Sequence, residues 1–351
     1  MSSSKNKVAI VIGGSAGVGR AVVDALRGRG YAVGVIARGR MRLDELEQIG
    51  VATYGADAGD TGQLDAAADH LVDRLGRPDV WVNCAMATSF SAFKNTPAED
   101  FDRIIRTTLM GQVNGTRAAL RHMRGGNIVN IGSGLSYRSV PLQSAYCAAK
   151  HAINGFTSSV RSELIAEGSP IGLSLVQLPA MNTPQFDWAR SRLSRQPQPA
   201  PPIYTAQVAA DAVMQAIDTN AREIFVGSSV LKLVFGQFLM PNYLDRRMSK
   251  DGISGQKSDR PAPGVEAGNL YDPVDYPASA AGSYSDRASD HGVIVDADRA
   301  RKAAFIGVPL LALAAGALFG QLGRQSRARR IAADRTARIP RSFGGDDYPR
   351  H

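Results

Sequence analysis

Two cysteines in 351 residues, Cys84 and Cys147, offer neither a CxxC pair nor a disulfide framework, and the five histidines are too scattered to make a metal-ligand spacing. Small disulfide-stapled folds and zinc-built folds are therefore excluded, and a reducing, cytoplasmic setting is expected. A secretory leader is also not expected. Met1 to Lys7 is polar and runs straight into a short apolar stretch, without a long apolar core or a small-residue cleavage site. No internal repeat is visible, which excludes a solenoid or propeller. Acidic residues are scarce near the end of the chain. After Gln321, only Asp334, Asp346 and Asp347 face Arg324, Arg327, Arg329, Arg330, Arg335, Arg338, Arg341 and Arg350. Much of the formal net charge of +9 therefore lies in a tail, to be read apart from the rest.

What remains is a composition with 44% hydrophobic and 21% charged residues, enough for a substantial core. Short apolar runs at 8–12, 32–37, 51–56, 80–84, 127–131, 173–178 and 223–226 predict buried strands. Between them, helical spacing is expected over 20–27, 64–75, 100–123, 146–165 and 207–217, with Thr96-Pro97 as the start signal of the third. Strands alternating with helices give βαβ units. The expected architecture is α/β: a doubly wound, Rossmann-type parallel sheet with ligands beyond the carboxyl ends of its strands. The chain is divided into a dinucleotide-binding catalytic domain (1–250), a Gly/Pro/Ser-rich, poorly ordered linker (251–302), an apolar helix (303–322) and a basic tail (323–351).

The first strand runs into Gly13-Gly14-Ser15-Ala16-Gly17-Val18-Gly19 and then a helix. Gly13, Gly17 and Gly19 let the backbone turn tightly, and with Ser15 and Val18 they place amides and a helix N-terminus against a pyrophosphate. A glycine string in isolation is weak; its position in the first βαβ unit gives it weight. About 20 residues on, where an acid would read the ribose 2′-hydroxyl of NAD, the second strand ends in Arg38, and the next acid is Asp44. A guanidinium there suits a 2′-phosphate, so NADP(H) is the expected cofactor.

Tyr146 and Lys150 lie four apart, one turn along a helix face, and Ser133 ends the strand before that helix. A lysine ammonium beside a phenol, with a cationic nicotinamide, favours phenolate and makes Tyr146 an acid/base near neutrality. The Ser133 hydroxyl is placed to polarise a carbonyl.

The Gly-rich turn, Asn83-Cys84-Ala85, Ser133, Tyr146-Cys147-Ala148-Ala149-Lys150 and Pro179-Ala180-Met181-Asn182-Thr183 together resemble the short-chain dehydrogenase/reductase family, over roughly 7–247. The resemblance implies a seven-stranded parallel sheet and hydride transfer between a nicotinamide and a small-molecule carbonyl or alcohol. It makes Tyr146 the acid/base, Lys150 its partner and Ser133 the carbonyl-orienting group. It assigns Asp57 to the adenine ring, Asn83 to the sheet beside the cofactor, and Ala85, Pro179 and Thr183 to the cofactor wall. Phe186 and Trp188 fall on a lid over the substrate. A homo-oligomer paired through two long helices is also implied. Four positions depart from the pattern: Ile12, Cys84 with Met86, Ala180, and Thr108, which stands where the family carries an asparagine that helps hold a proton-relaying water. Thr108 is accordingly kept among the catalytic candidates.

The apolar stretch 303–320 is about the shortest that spans a bilayer, and arginines flank it. A full span would export the basic tail against the positive-inside tendency; a helix lying in an anionic interface would not. The expectation is a cytoplasmic enzyme attached to the cytoplasmic face of a membrane. A membrane-tethered dinucleotide-binding scaffold or sensor with little turnover is the alternative. Nucleic-acid binding by the tail is disfavoured, because no aromatic platform accompanies it.

Overall fold

The computed structural model describes residues 7–262, 268–274, 276–307, 309–311, 313–317, 319 and 321. The chain forms two units, 1–297 and 298–351. The expected basic tail, 323–351, lies outside the described residues.

In the first unit, seven parallel strands form the sheet: β1 (Val8–Ile12), β2 (Ala32–Ala37), β3 (Ala52–Gly55), β4 (Val80–Asn83), β5 (Gly126–Ser133), β6 (Ile171–Leu178) and β7 (Glu223–Val226). Their order is β7-β6-β5-β4-β1-β2-β3. The strand order reverses at β1, with β2 on one side and β4 on the other, so the switch-point crevice opens beyond Ile12, Ala37 and Asn83. An eighth strand, β8 (Ile294–Asp296), adds antiparallel to β7 and covers an edge that would otherwise offer free backbone groups.

Period-two alternation divides the core. Ala9 and Val11 of β1, with Val35, Val129 and Val176, face α1 (Gly17–Gly28), α2 (Arg40–Gln48) and, later in the chain, Val208, Ala212 and Val213. Ile10 and Ile12, with Trp81 and Ile128, face the opposite layer through Leu64, Leu71, Ala118, Ala119 and Leu164. That layer is α3 (Thr61–Leu75), α4 (Ala98–Ile105), α5 (Gly111–His122) and α6 (Ser144–Ala166). The single long helix expected over 100–123 is interrupted by a π-helical turn at Arg106–Met110. The later residues of the first layer belong to α8 (Ala206–Thr219), while the substrate side carries α7 (Gln185–Trp188), α9 (Gly227–Leu239) and α10 (Pro241–Arg247).

More of the 251–302 stretch is packed than its composition implied. Lys257–Pro261 pairs with Arg195–Pro197, and Ala288–Ser289 pairs with Ile203–Tyr204. The intervening described residues run across the mouth of the crevice, held by backbone carbonyls and by Leu270, Tyr271, Tyr276 and Tyr284. Division into units falls at Ala297, a few residues before the boundary expected at 302. The helical stretch Ala297–Ala317 starts at the last residue of the first unit, and its most apolar 18-residue window has a mean hydropathy of 1.4 with none of that window buried.

Candidate active site

The crevice beyond β1, β2, β4 and β5 is a cavity of about 990 Å3. Its walls include Gly13, Ser15, Gly17, Val18 and Gly19 from the first turn, Arg38 and Asp57 after β2 and β3, Ala85, then Ser133, Tyr146 and Lys150, and Pro179 and Thr183. One continuous surface thus carries nearly all of the residues singled out from the sequence.

The glycine turn has little room to spare. Gly13 sits at φ +78°, and a Cβ there would lie 2.6 Å from the Ala85 amide nitrogen; one on Gly19 would lie 2.1 Å from the Gly13 carbonyl. This cradle suits the close backbone approach that a diphosphate requires. The residues present therefore fit a nicotinamide dinucleotide.

Ser133 ends β5, and its hydroxyl accepts from the Leu135 amide at 3.1 Å, while its own amide donates to Gln177 Oε1 at 2.7 Å. The hydroxyl also hydrogen-bonds Tyr146 from the first turn of α6. Lys150, one turn further on, is buried, lies 5.5 Å over the Tyr146 ring, and donates to the Ile131 carbonyl at 2.6 Å. Burial lowers the Lys150 ammonium to about 8, opposed by Cys84. Burial also pushes the Tyr146 phenol well above its ordinary value, Cys147 adds to this, and the Ser133 hydrogen bond offsets it in part. Without the cationic nicotinamide that the phenolate expectation includes, low-dielectric surroundings and a lysine that is itself desolvated favour the protonated phenol.

Two expected site residues lie behind the wall. Asn83 is fully buried, accepting from Trp81 Nε1 and donating to Asn130 and Thr116, so it braces the sheet. Thr108 is turned away from the crevice: its hydroxyl accepts from the Ala87 amide at 3.0 Å and donates to the Ala87 carbonyl at 2.9 Å. The group beside Lys150 is instead Gln112. Its Nε2 donates at 2.8 Å to the same Ile131 carbonyl, and its buried Oε1 has no hydrogen-bond partner. No spacing motif marks Gln112. Only its length on a helix face of small residues, Gly115, Thr116 and Ala119, could have drawn attention to it.

At the other end, Asp57 pairs with Arg103 at 2.5 Å, and Arg38 donates to three backbone carbonyls, of Asn269, Leu270 and Tyr271. On the lid, Phe186 lines the cavity and packs on Phe90 and Tyr284. Trp188 also lines the cavity, but Tyr276 packs edge-on at 5.0 Å and the Arg42 guanidinium covers it at 5.1 Å, so its ring largely staples the lid. Among the described residues no cluster of His, Cys, Asp and Glu could hold a metal ion.

Comparison with known proteins agrees with this geometry. The family profile for short chain dehydrogenase matches residues 7–193. An uncharacterized oxidoreductase of Bacillus subtilis, YxnA, is 32% identical over 279 residues, covering 76% of this chain and 78% of that protein. The 2-(R)-hydroxypropyl-CoM dehydrogenase of Xanthobacter autotrophicus is 33% identical over 229 residues, 60% of this chain and 90% of that one. Among solved structures, a short-chain dehydrogenase from Streptomyces avermitilis superposes with a TM-score of 0.59 at 26% identity, covering 71% of this chain and 98% of its own. With a parallel sheet in this order, a glycine cradle at its switch point and a profile match over more than half its length, the chain belongs to the short-chain dehydrogenase family of nicotinamide-dependent oxidoreductases.

Proposed function

We propose that the protein is an NADP(H)-dependent carbonyl reductase or alcohol dehydrogenase that works on a hydrophobic substrate at a membrane surface. The observation that carries the chemistry is the contiguous set Ser133, Tyr146 and Lys150 on the crevice wall. A nicotinamide dinucleotide held by the glycine turn would supply or accept the hydride. In reduction, Tyr146 gives its phenolic proton to the nascent alkoxide oxygen, and Ser133 donates a hydrogen bond to the same oxygen. Lys150 sets a positive charge beside the resulting phenolate, with Gln112 and Ile131 fixing its position. Oxidation runs the same proton path backwards. This intact trio favours turnover over the alternative of a tethered, non-catalytic scaffold.

Arg38 supports the choice of NADP(H): it is a cation directly after β2, and Arg103 and Arg42 add positive charge beside it; burial and then Arg103 lower its basicity, opposed by Asp57 and Asp272. The substrate end supports an apolar compound. Leu135, Val140, Phe186, Leu233, Leu244 and Met248 line it. Next to that end, Phe238, Leu239, Met240 and Tyr243 are exposed at the junction of α9 and α10, beside Arg246 and Arg247. An exposed apolar patch with basic neighbours suits an anionic bilayer, as does the Ala297–Ala317 helix.

The test is NADPH oxidation by the full chain against two sets of ketones and aldehydes: short water-soluble ones, and long-chain ones carried in anionic vesicles. The reading expects the highest kcat/KM on the vesicle-borne set. Activity confined to short soluble carbonyls would remove the hydrophobic and membrane parts, and no activity on either set would favour the scaffold.

A further inference from the structure

The described residues from Gly268 to Ser289 form a strap over the adenosine side of the crevice, and its contacts converge on the cofactor-binding residues. Arg38 gives 2.6, 2.7 and 3.3 Å hydrogen bonds to the carbonyls of Asn269, Tyr271 and Leu270. Arg103 donates to the Leu270 carbonyl at 3.0 Å while holding Asp57. Arg42 reaches the carbonyls of Val274 and Tyr276. Further along, Arg20 donates to the Ala278 carbonyl, and the Gly17 amide, inside the glycine turn, donates to the Ser279 carbonyl at 2.8 Å. Leu270 anchors the near end in a fully buried cluster with Ala87, Ile104 and Ala145.

Several of the groups assigned to an anionic ligand are thus engaged by uncharged backbone oxygens. A phosphate is a stronger acceptor for a guanidinium than any neutral carbonyl, whereas a ribose hydroxyl is not. Where the strap meets the lid, Asn269 Nδ2 donates to Gln185 Oε1 at 3.4 Å, but Asn269 Oδ1 and Gln185 Nε2 are buried without hydrogen-bond partners. A seam with unmet polar atoms opens at lower cost than a fully satisfied one.

We propose that the strap is a cofactor-specificity element: its carbonyls at 269–271 hold Arg38 until a 2′-phosphate takes the guanidinium from them, so that a 2′-phosphorylated dinucleotide loosens the strap and an unphosphorylated one leaves it seated. This rests on the NADP(H) reading and deepens it. The strap competes with the 2′-phosphate, so apparent affinity falls by the fraction of molecules whose strap is open.

The test measures backbone hydrogen exchange of the full-length protein, alone and saturated with 2′,5′-ADP or with 5′-AMP, with calorimetric affinities for both. The expected result is tighter binding of 2′,5′-ADP together with faster exchange across 268–274, and no such acceleration with 5′-AMP. A second arm uses Gly282→Ala, far along the strap from Arg38, where a Cβ would lie 2.4 Å from the Thr183 carbonyl and so lift the strap from the lid. That variant should bind 2′,5′-ADP about tenfold more tightly, with a clearly smaller gain for 5′-AMP, whose 5′-phosphate meets only the Ser279 contact on Gly17. Tight 2′,5′-ADP binding with unchanged or slower exchange at 268–274 would make the strap a fixed wall and overturn the exchange of Arg38. Equal affinity for the two nucleotides would overturn the 2′-phosphate reading itself, a separate outcome.

Discussion

Replacing Tyr146 with Phe should lower kcat by about a thousandfold while leaving dinucleotide affinity within a few-fold of the parent, because general acid–base catalysis by one positioned group contributes about 10²–10⁴. The ring stays, so the Lys150 ammonium keeps its aromatic neighbour at 5.5 Å and the cavity wall keeps its shape. Only the hydroxyl that Ser133 contacts is removed. Stopped-flow or steady-state turnover beside fluorescence binding separates the two effects. A variant that retains most of its turnover would show that another group moves the proton. A variant that loses cofactor binding in parallel would show that Tyr146 serves mainly to build the site.

Asp100 should be the most sensitive position for stability outside the sheet. Its carboxylate is almost fully buried and accepts from Arg190 at 2.9 Å, Arg192 at 2.8 Å and Tyr271 at 2.9 Å, which ties the segment after α7 and the strap to α4. Asp100→Ala leaves two largely buried guanidinium groups without their carboxylate. Removing one partner of a buried pair costs about 3–5 kcal/mol. Chemical denaturation should report a loss of that size, and a loss below about 1 kcal/mol would mean the three contacts are no stronger than a surface pair. Burial alone would raise the Asp100 carboxyl, but hydrogen bonds from Arg192, Tyr271 and Arg190 outweigh it and hold the group below its ordinary value. Because the folded value is lowered, Asp100 contributes stability in full above the unfolded carboxyl value of about 3.9 and loses it as pH falls through the lowered folded value. The parent should therefore lose more stability than Asp100→Ala on going from pH 7 to pH 3.

Strands β1, β2 and β4 were legible because a parallel strand covered on both faces needs an apolar run, and β6 was legible from its leucines and Val176 despite the buried Ser174 and Gln177. The glycine turn, Ser133, Tyr146 and Lys150 were legible because their chemistry depends on spacing along a strand end or a helix face. Helix α2 was not: of its nine residues, only Arg42, Leu43 and Leu46 are buried, too few to show a helical period among so many charges. Gln112 and Gln185 were missed because a single amide near a site has no spacing to betray it. Thr108 was placed correctly in sequence but not in orientation; the π-helical turn at Arg106–Met110 and the Ala87 backbone decide where its hydroxyl points. The strap was the largest omission. Its main contacts are backbone carbonyls accepting from arginines of the catalytic domain, and a Gly/Pro/Ser-rich composition carries no trace of which carbonyls will be used. The arginines were visible; their partners were not.

The central claim, a dinucleotide site that reads a 2′-phosphate through Arg38, is tested most directly by fluorescence titration of the full-length protein with NADPH and NADH, for the parent and for Arg38→Ala. The account predicts that NADPH binds more tightly to the parent and that the variant loses this advantage, by about 10- to 100-fold in NADPH affinity with little change for NADH, as expected for a charge-assisted hydrogen bond worth roughly 1.5–3 kcal/mol. NADH binding as tightly as NADPH, with Arg38→Ala indifferent to both, would contradict it.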